Sequence, residues 1–104
     1  MSTQKSVLSV RFRSTFKSSE LNQLFHDNLD HFKNVPGLLE KYYLKDEQSD
    51  VVGGIYIFDS KSSKINFWNS DLAKSIPGTY GVIMESLKVE QLDVTIDMMD
   101  AVPV

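Results

Sequence analysis

"VVGGIYIF", residues 51–58, carries the pattern on which the fold turns. Ile55 and Ile57 alternate with Tyr56 and Phe58, so both faces of an extended segment are apolar or aromatic. A strand covered on both sides is the simplest reading. Inside it Gly53 and Gly54 stand together, where glycine adds no packing and costs backbone entropy. Two explanations stand side by side: the missing side chains let a helix, a ligand or a partner approach the strand, or the pair marks a β-bulge that twists it.

Working outward, "LLEKYYLKD" (38–46) is a second run rich in aromatic residues, separated from the first by the polar "EQSD" (47–50), and the two read as a hairpin. Before it, "SVLSVRFR" (6–13) puts Leu8, Val10 and Phe12 on one face and Ser9, Arg11 and Arg13 on the other, the period of a half-buried strand. Between them Ser18 and Ser19 offer capping oxygens. Leu21, Leu24, Phe25, Leu29 and Phe32 then recur at three- and four-residue spacing, which predicts an amphipathic helix of about four turns. "NVPG" (34–37) stops it, because Pro36 disfavours helical geometry at Val35 and Gly37 permits a tight turn.

After the hairpin, Asp59, Ser60 and Ser62 are possible caps for a second helix with inner positions Ile65, Trp68, Leu72, Ala73 and Ile76, which Pro77 and Gly78 end. Phe67 projects away from that stripe. "LKVEQLDVTIDMM" (87–99) alternates Leu92, Val94, Ile96 and Met98 with Asp93, Thr95 and Asp97, predicting a last strand; "TYGVIME" (79–85) before it fits no single element.

The order β-α-β-β-α-β is the ferredoxin-like plan, an α+β fold with an antiparallel sheet and both helices on one face. The other face needs a cover. The hairpin carries Leu39 and Tyr43 on one parity and Leu38, Tyr42 and Leu44 on the other, and two helices can shield only one side. The sheet of a second subunit across a two-fold axis is the expected cover, making a homodimer.

With 104 residues the chain is long enough for one domain, 1–104. A formal charge of -3 removes the electrostatic footprint of a nucleic-acid binder. The absence of cysteine removes disulfides and thiolate chemistry, and "MSTQKSVLSV" lacks the apolar run of a signal peptide or membrane span. A cytoplasmic protein without membrane attachment is the expectation. No Gly-rich phosphate loop, nucleophile elbow or metal-spaced cluster occurs, so neither a nucleotide cofactor nor a metal is expected.

At about 100° per residue, Asn28 falls within the apolar stripe of the first helix, where a buried amide demands partners. It either bonds a backbone group or holds a substrate oxygen. His31 lies at the border of the same face and is a candidate general base, although Asp27–His31 and His26–Asp30 are also ordinary four-residue surface pairs. The two histidines sit about 140° apart on the helix and lack a third ligand, which argues against a metal clip. Tyr43, Tyr56, Phe58 and Trp68 are the aromatics placed to bind a ring, or simply to pack the core. Arg11 and Arg13 point away from the apolar face of the first strand, toward an anionic substrate or toward Asp93 and Asp97 of a partner.

"NVPGLLEKYYL", "GGIYIFDS" and "FWNSDLAKSIPGTYG" together resemble the YdhR-like monooxygenases, relatives of the antibiotic-biosynthesis monooxygenase domains. The likeness runs from Val7 to about Asp97, and its best local signatures are Pro36–Leu38 and Gly53–Phe58. It departs at "SKSSKINFW" (60–68), where relatives usually carry a Glu- and Ala-rich helix. The resemblance implies a dimeric α+β barrel and a cofactor-independent oxygenase acting on a small aromatic or polyketide-like compound. From helix phase, Asn28 is then the oxyanion donor, His31 the base, and Trp68 with Tyr56 the platform for the ring. A non-catalytic homodimer that binds a small hydrophobic molecule, and a cyclase or isomerase on the same scaffold, are the alternatives.

Overall fold

A computed structural model describes residues 4–100 of the chain. Strand β1 (Ser6–Phe12) leads into helices α1 (Ser18–Asp27) and α2 (Leu29–Lys33). The hairpin β2 (Leu38–Lys45) and β3 (Val52–Phe58) follows, then α3 (Lys61–Trp68), α4 (Asp71–Thr79) and β4 (Lys88–Asp93). All strand pairs are antiparallel and the sheet order is β2-β3-β1-β4, the ferredoxin-like arrangement.

The alternation of β1 decides the sides. Leu8, Val10 and Phe12 are buried, and opposite them on β3 lie Tyr56, Gly54 and Val52. With Phe58 they form the sheet's half of the core, closed by Leu21 and Phe32 from α1 and α2, Phe67 from α3, and Ala73 and Ile76 from α4. The opposite face carries Val7, Ile55 and Ile57 between the exposed Tyr42, Leu44 and Leu92, the last 53% accessible.

Both predicted helices are broken in two. The first turns at Asn28 (φ -103°, ψ 4°), whose Nδ2 donates to the Leu24 carbonyl at 2.8 Å. Asn28 is therefore half-buried at a junction, satisfied by the backbone, rather than inside a continuous stripe. The second breaks after Trp68, and Ser70 caps a new start by accepting from the Ala73 N–H. That break resets the helical phase. Phe67 is consequently in the core at 3% exposure while Ile65 faces out at 41%, the reverse of the expectation from one unbroken helix. Pro77 does not end α4, which runs on to Thr79, because a proline this close to a C-terminus removes only one hydrogen bond.

The last strand is shorter than its alternation predicts. β4 pairs with Ser6–Arg11, the Val94 N–H bonds the Lys5 carbonyl, and beyond them Ile96 and Met98 lie exposed. Residues 80–87 connect α4 to β4 through a 3-10 turn at Met84–Ser86, tied to β1's exit by a bridge between Ser14 and Val82. Within the chain Arg11 pairs with Glu90 of β4, and Asp97 takes Lys5 at 2.7 Å.

The register through the two glycines is unbroken on both sides of β3. The irregularity lies instead on β2 at Leu39, between the Leu38–Phe58 and Glu40–Ile57 pairs. One extra residue there changes parity. Leu38 joins Lys41 and Tyr43 on the helix side, whereas Glu40, Tyr42 and Leu44 face away and Leu39 is exposed. Gly53 is required by close approach: a Cβ on it would sit 2.1 Å from the Val10 carbonyl oxygen. Gly54 has another role, since a Cβ there would meet the Tyr56 ring at 3.3 Å and the Lys41 stem at 3.4 Å.

Candidate active site

Gly54 is the floor of a cleft between the sheet and the helices. Val10, Phe12 and Tyr56 surround that floor, Lys41 and Tyr43 of β2 form one wall, and Phe25, Ile76 and Tyr80 close the top. Its inner space is about 10 Å³, room for roughly one water. Lys41 and Tyr43 also line an outer cleft of about 290 Å³ between α2 and the free edge of β2, with Leu29, Phe32 and Leu39. The flexible Lys41 stem thus stands between a small inner space and an outer one near the lower end of small-molecule sites, roughly 300 Å³.

Lys41 is held by rings. Its Nζ lies 3.2 Å from the Phe32 ring centroid, 4.3 Å from that of Tyr43 and 4.6 Å from that of Tyr56. Among the described residues no carboxylate pairs with it and no hydrogen bond reaches its ammonium. The ring faces favour the charged form. Loss of hydration opposes it and prevails, and burial pushes the ammonium down to about 7.

The Tyr43 hydroxyl beside it is buried and has no hydrogen-bond partner. Burial raises the pKa of Tyr43, raises Tyr56 strongly with Tyr43 and Tyr80 adding to the effect, and lifts Tyr80 to about 12. These phenols stay protonated near neutral pH and serve as donors. Phe25 packs against Tyr43 and Tyr80 with centroids 4.6 and 5.1 Å away, so the aromatic wall is continuous.

Of the aromatics expected from sequence, Tyr43 and Tyr56 come together in this cleft. Phe58 lies behind Tyr56 in the core, the two rings stacked at 6.4 Å, and Trp68 is half-buried against the core from α3. Asn28 sits at the α1–α2 junction. His31 is exposed and lines a separate groove of about 410 Å³ with Pro36, Ser63, Phe67 and Leu72. Among the described residues no group of three or more potential ligands could hold a metal, and no helix is long and apolar enough to cross a membrane.

Lys41 is the residue that sequence reasoning missed. Counting the hairpin register back from its loop, where the Asp46 N–H bonds the Val51 carbonyl, places Lys41 opposite Tyr56. A lysine opposite a core tyrosine was the available signal.

No curated protein matches the chain. Among solved structures it is similar to a protein of unknown function from Nitrosomonas europaea, at 15% identity and TM-score 0.73, covering 98% of this chain and 100% of that one. It is similar to a monooxygenase from Streptomyces coelicolor in complex with nanaomycin D, at 16% identity and TM-score 0.69, covering 91% of each chain. It is also similar to SnoaB, a cofactor-independent oxygenase from Streptomyces nogalater, at 13% identity and TM-score 0.65, covering 98% of this chain and 100% of that one. Likeness at this identity shows the shared fold. The sequence itself carries the family: the model of "Putative mono-oxygenase ydhR" matches residues 7–76, more than half of the chain, and this protein belongs to that family.

Proposed function

We propose that this protein is a cytoplasmic, homodimeric, cofactor-independent oxygenase acting on a small aromatic or polyketide-like phenol. The observation that carries the reading is the aromatic cleft on Gly54, where donors are few and ring faces many. Family membership and structurally similar oxygenases support it. Tyr43 and Tyr56 are the ring platform, with Phe58 stacked behind Tyr56.

The chemistry balances without a reductant. An activated ring carbon of the phenol, para to its hydroxyl, loses hydrogen and gains one atom of dioxygen as a quinone carbonyl, and the second oxygen atom leaves as water. The substrate supplies all four electrons. The protein has to bind the ring, favour its ionised form and exclude water.

The far face of the sheet supports the homodimer, with Tyr42, Leu44 and Leu92 surrounding Val7, Ile55 and Ile57. A second copy packed sheet to sheet would cover them.

The test is oxygen uptake and product mass with a panel of anthrones and 1-naphthols, which carry hydrogen para to the hydroxyl, run with and without air. Oxygen-dependent formation of quinone above the protein-free rate is the expected result. Binding without uptake would replace the oxygenase by a small-molecule carrier, and anaerobic turnover would point to a cyclase or isomerase.

A further inference from the structure

Two polar groups of the same cleft lack protein partners among the described residues, the buried Tyr43 hydroxyl and the half-buried Lys41 ammonium. Leaving a buried hydroxyl unbonded costs roughly 1–3 kcal/mol, and an ammonium without a carboxylate among rings is costlier still. The Tyr43 hydroxyl is in that first condition; Lys41 is half-buried with its ammonium among rings and no described carboxylate beside it, and both residues line the inner and outer clefts. A cation would be repelled by Lys41. An aliphatic acid would leave the faces of Phe25, Phe32 and Tyr56 unused. An oxygen on an aromatic ring uses everything present.

We propose that Lys41 and Tyr43 recognise an acidic phenolic oxygen: the neutral Lys41 amine takes the phenol's proton, the electron pair stays on oxygen, and the resulting ammonium and the Tyr43 hydroxyl hold the phenolate. This rests on the reading of the cleft as the substrate site, and it narrows the substrate class to phenols and enols with an ionisable hydroxyl on a fused ring. Amine and ammonium are both populated near neutral pH, which is where a general base is most effective. The other titratable groups facing Lys41 are Tyr56 from β3 and Tyr80 just past α4, both protonated there, with Lys33 of α2 and Glu40 of β2 at the outer mouth. Glu40 does not compete for Lys41, because its carboxylate accepts from the Tyr42 hydroxyl on the far face.

Alizarin tests this without oxygen or turnover, since it is already a quinone and its neutral and ionised forms differ in colour. Wild-type protein should bind the dye in its ionised colour at a pH where the free dye is mostly neutral. Lys41→Arg should keep that colour. Lys41→Met, with similar length and no charge, should bind about tenfold or more weakly and lose the colour change, and Tyr43→Phe should weaken binding while keeping it. Wild-type protein that binds the dye in its neutral colour or not at all, or Lys41→Met with unchanged affinity, would overturn the proposal. Ionised dye binding together with no oxygen uptake on anthrones would sink only the oxygenase reading.

Discussion

Replacing Lys41 by methionine should remove a pH dependence of folding that wild-type protein carries. In the unfolded chain this lysine titrates at about 10.5, and in the fold burial lowers it to about 7. Between those values the unfolded chain binds more protons than the native one, so stability rises with pH by about 1.4 kcal/mol per unit. Below about pH 7 the full penalty of the buried ammonium is present. The upper end of the window closes near pH 9.5, because Tyr43, Tyr56 and Tyr80 hold their protons in the fold and oppose further gain as unfolded tyrosines ionise near 10. The usable rise is therefore on the order of 3 kcal/mol. Lys41→Met keeps the stem against Phe32 and should be nearly flat over the same range, ending more stable than wild type at pH 6.5 by a few kcal/mol. Urea unfolding from pH 6 to about 9.5, at fixed protein concentration because association shifts the midpoint, reads both slopes. A wild-type slope no steeper than that of Lys41→Met would refute the account of Lys41 as a desolvated, unpaired ammonium.

The two glycines should respond differently. Gly53→Ala drives a Cβ into the Val10 carbonyl and should cost about 3 kcal/mol or more in urea unfolding. Gly54→Ala meets only a ring edge and a lysine stem, and should stay within about 1 kcal/mol of wild type while weakening dye binding. Asn28→Ala should lose about 1 kcal/mol with its bond to the Leu24 carbonyl and keep the dye. Oxygen uptake should survive His31→Ala and fail in Lys41→Met; the opposite pattern would move the reaction to the groove beside α3. Leu44→Lys with Leu92→Lys puts charges on the far face and should convert a dimer to a monomer by light scattering, whereas a wild-type monomer would remove the sheet-to-sheet interface.

The order of elements and the inward faces of β1 and β3 were legible because alternation reports directly on a strand with one wall in the core, as Leu8, Val10 and Phe12 do. Helix phase was less dependable. Its projection assumes one continuous helix, and the breaks at Asn28 and Ser70 depend on local hydrogen bonds that a 3.6-residue period does not register. The exchange of Phe67 and Ile65 follows from the second break, and the half-buried, backbone-bonded state of Asn28 from the first.

The glycine pair and the missed lysine share a cause. A bulge at the glycines would have altered the facing of β3; the bulge lies at Leu39 and alters the facing of β2. Leu38 then covers Phe58 on the helix side while Lys41 and Tyr43 also turn inward, over a floor that Gly54 leaves open. Deleting Leu39 would restore regular pairing with Leu38 still opposite Phe58 on the helix side and Lys41 still inward opposite Tyr56. The outer cleft would then lose only the Leu39 side chain from its lining. A Leu39 deletion should consequently retain the pH-dependent stability that Lys41 confers, read by the same urea series. Loss of the pH dependence with the deletion would mean that the bulge, and not the hairpin register, holds Lys41 among the rings.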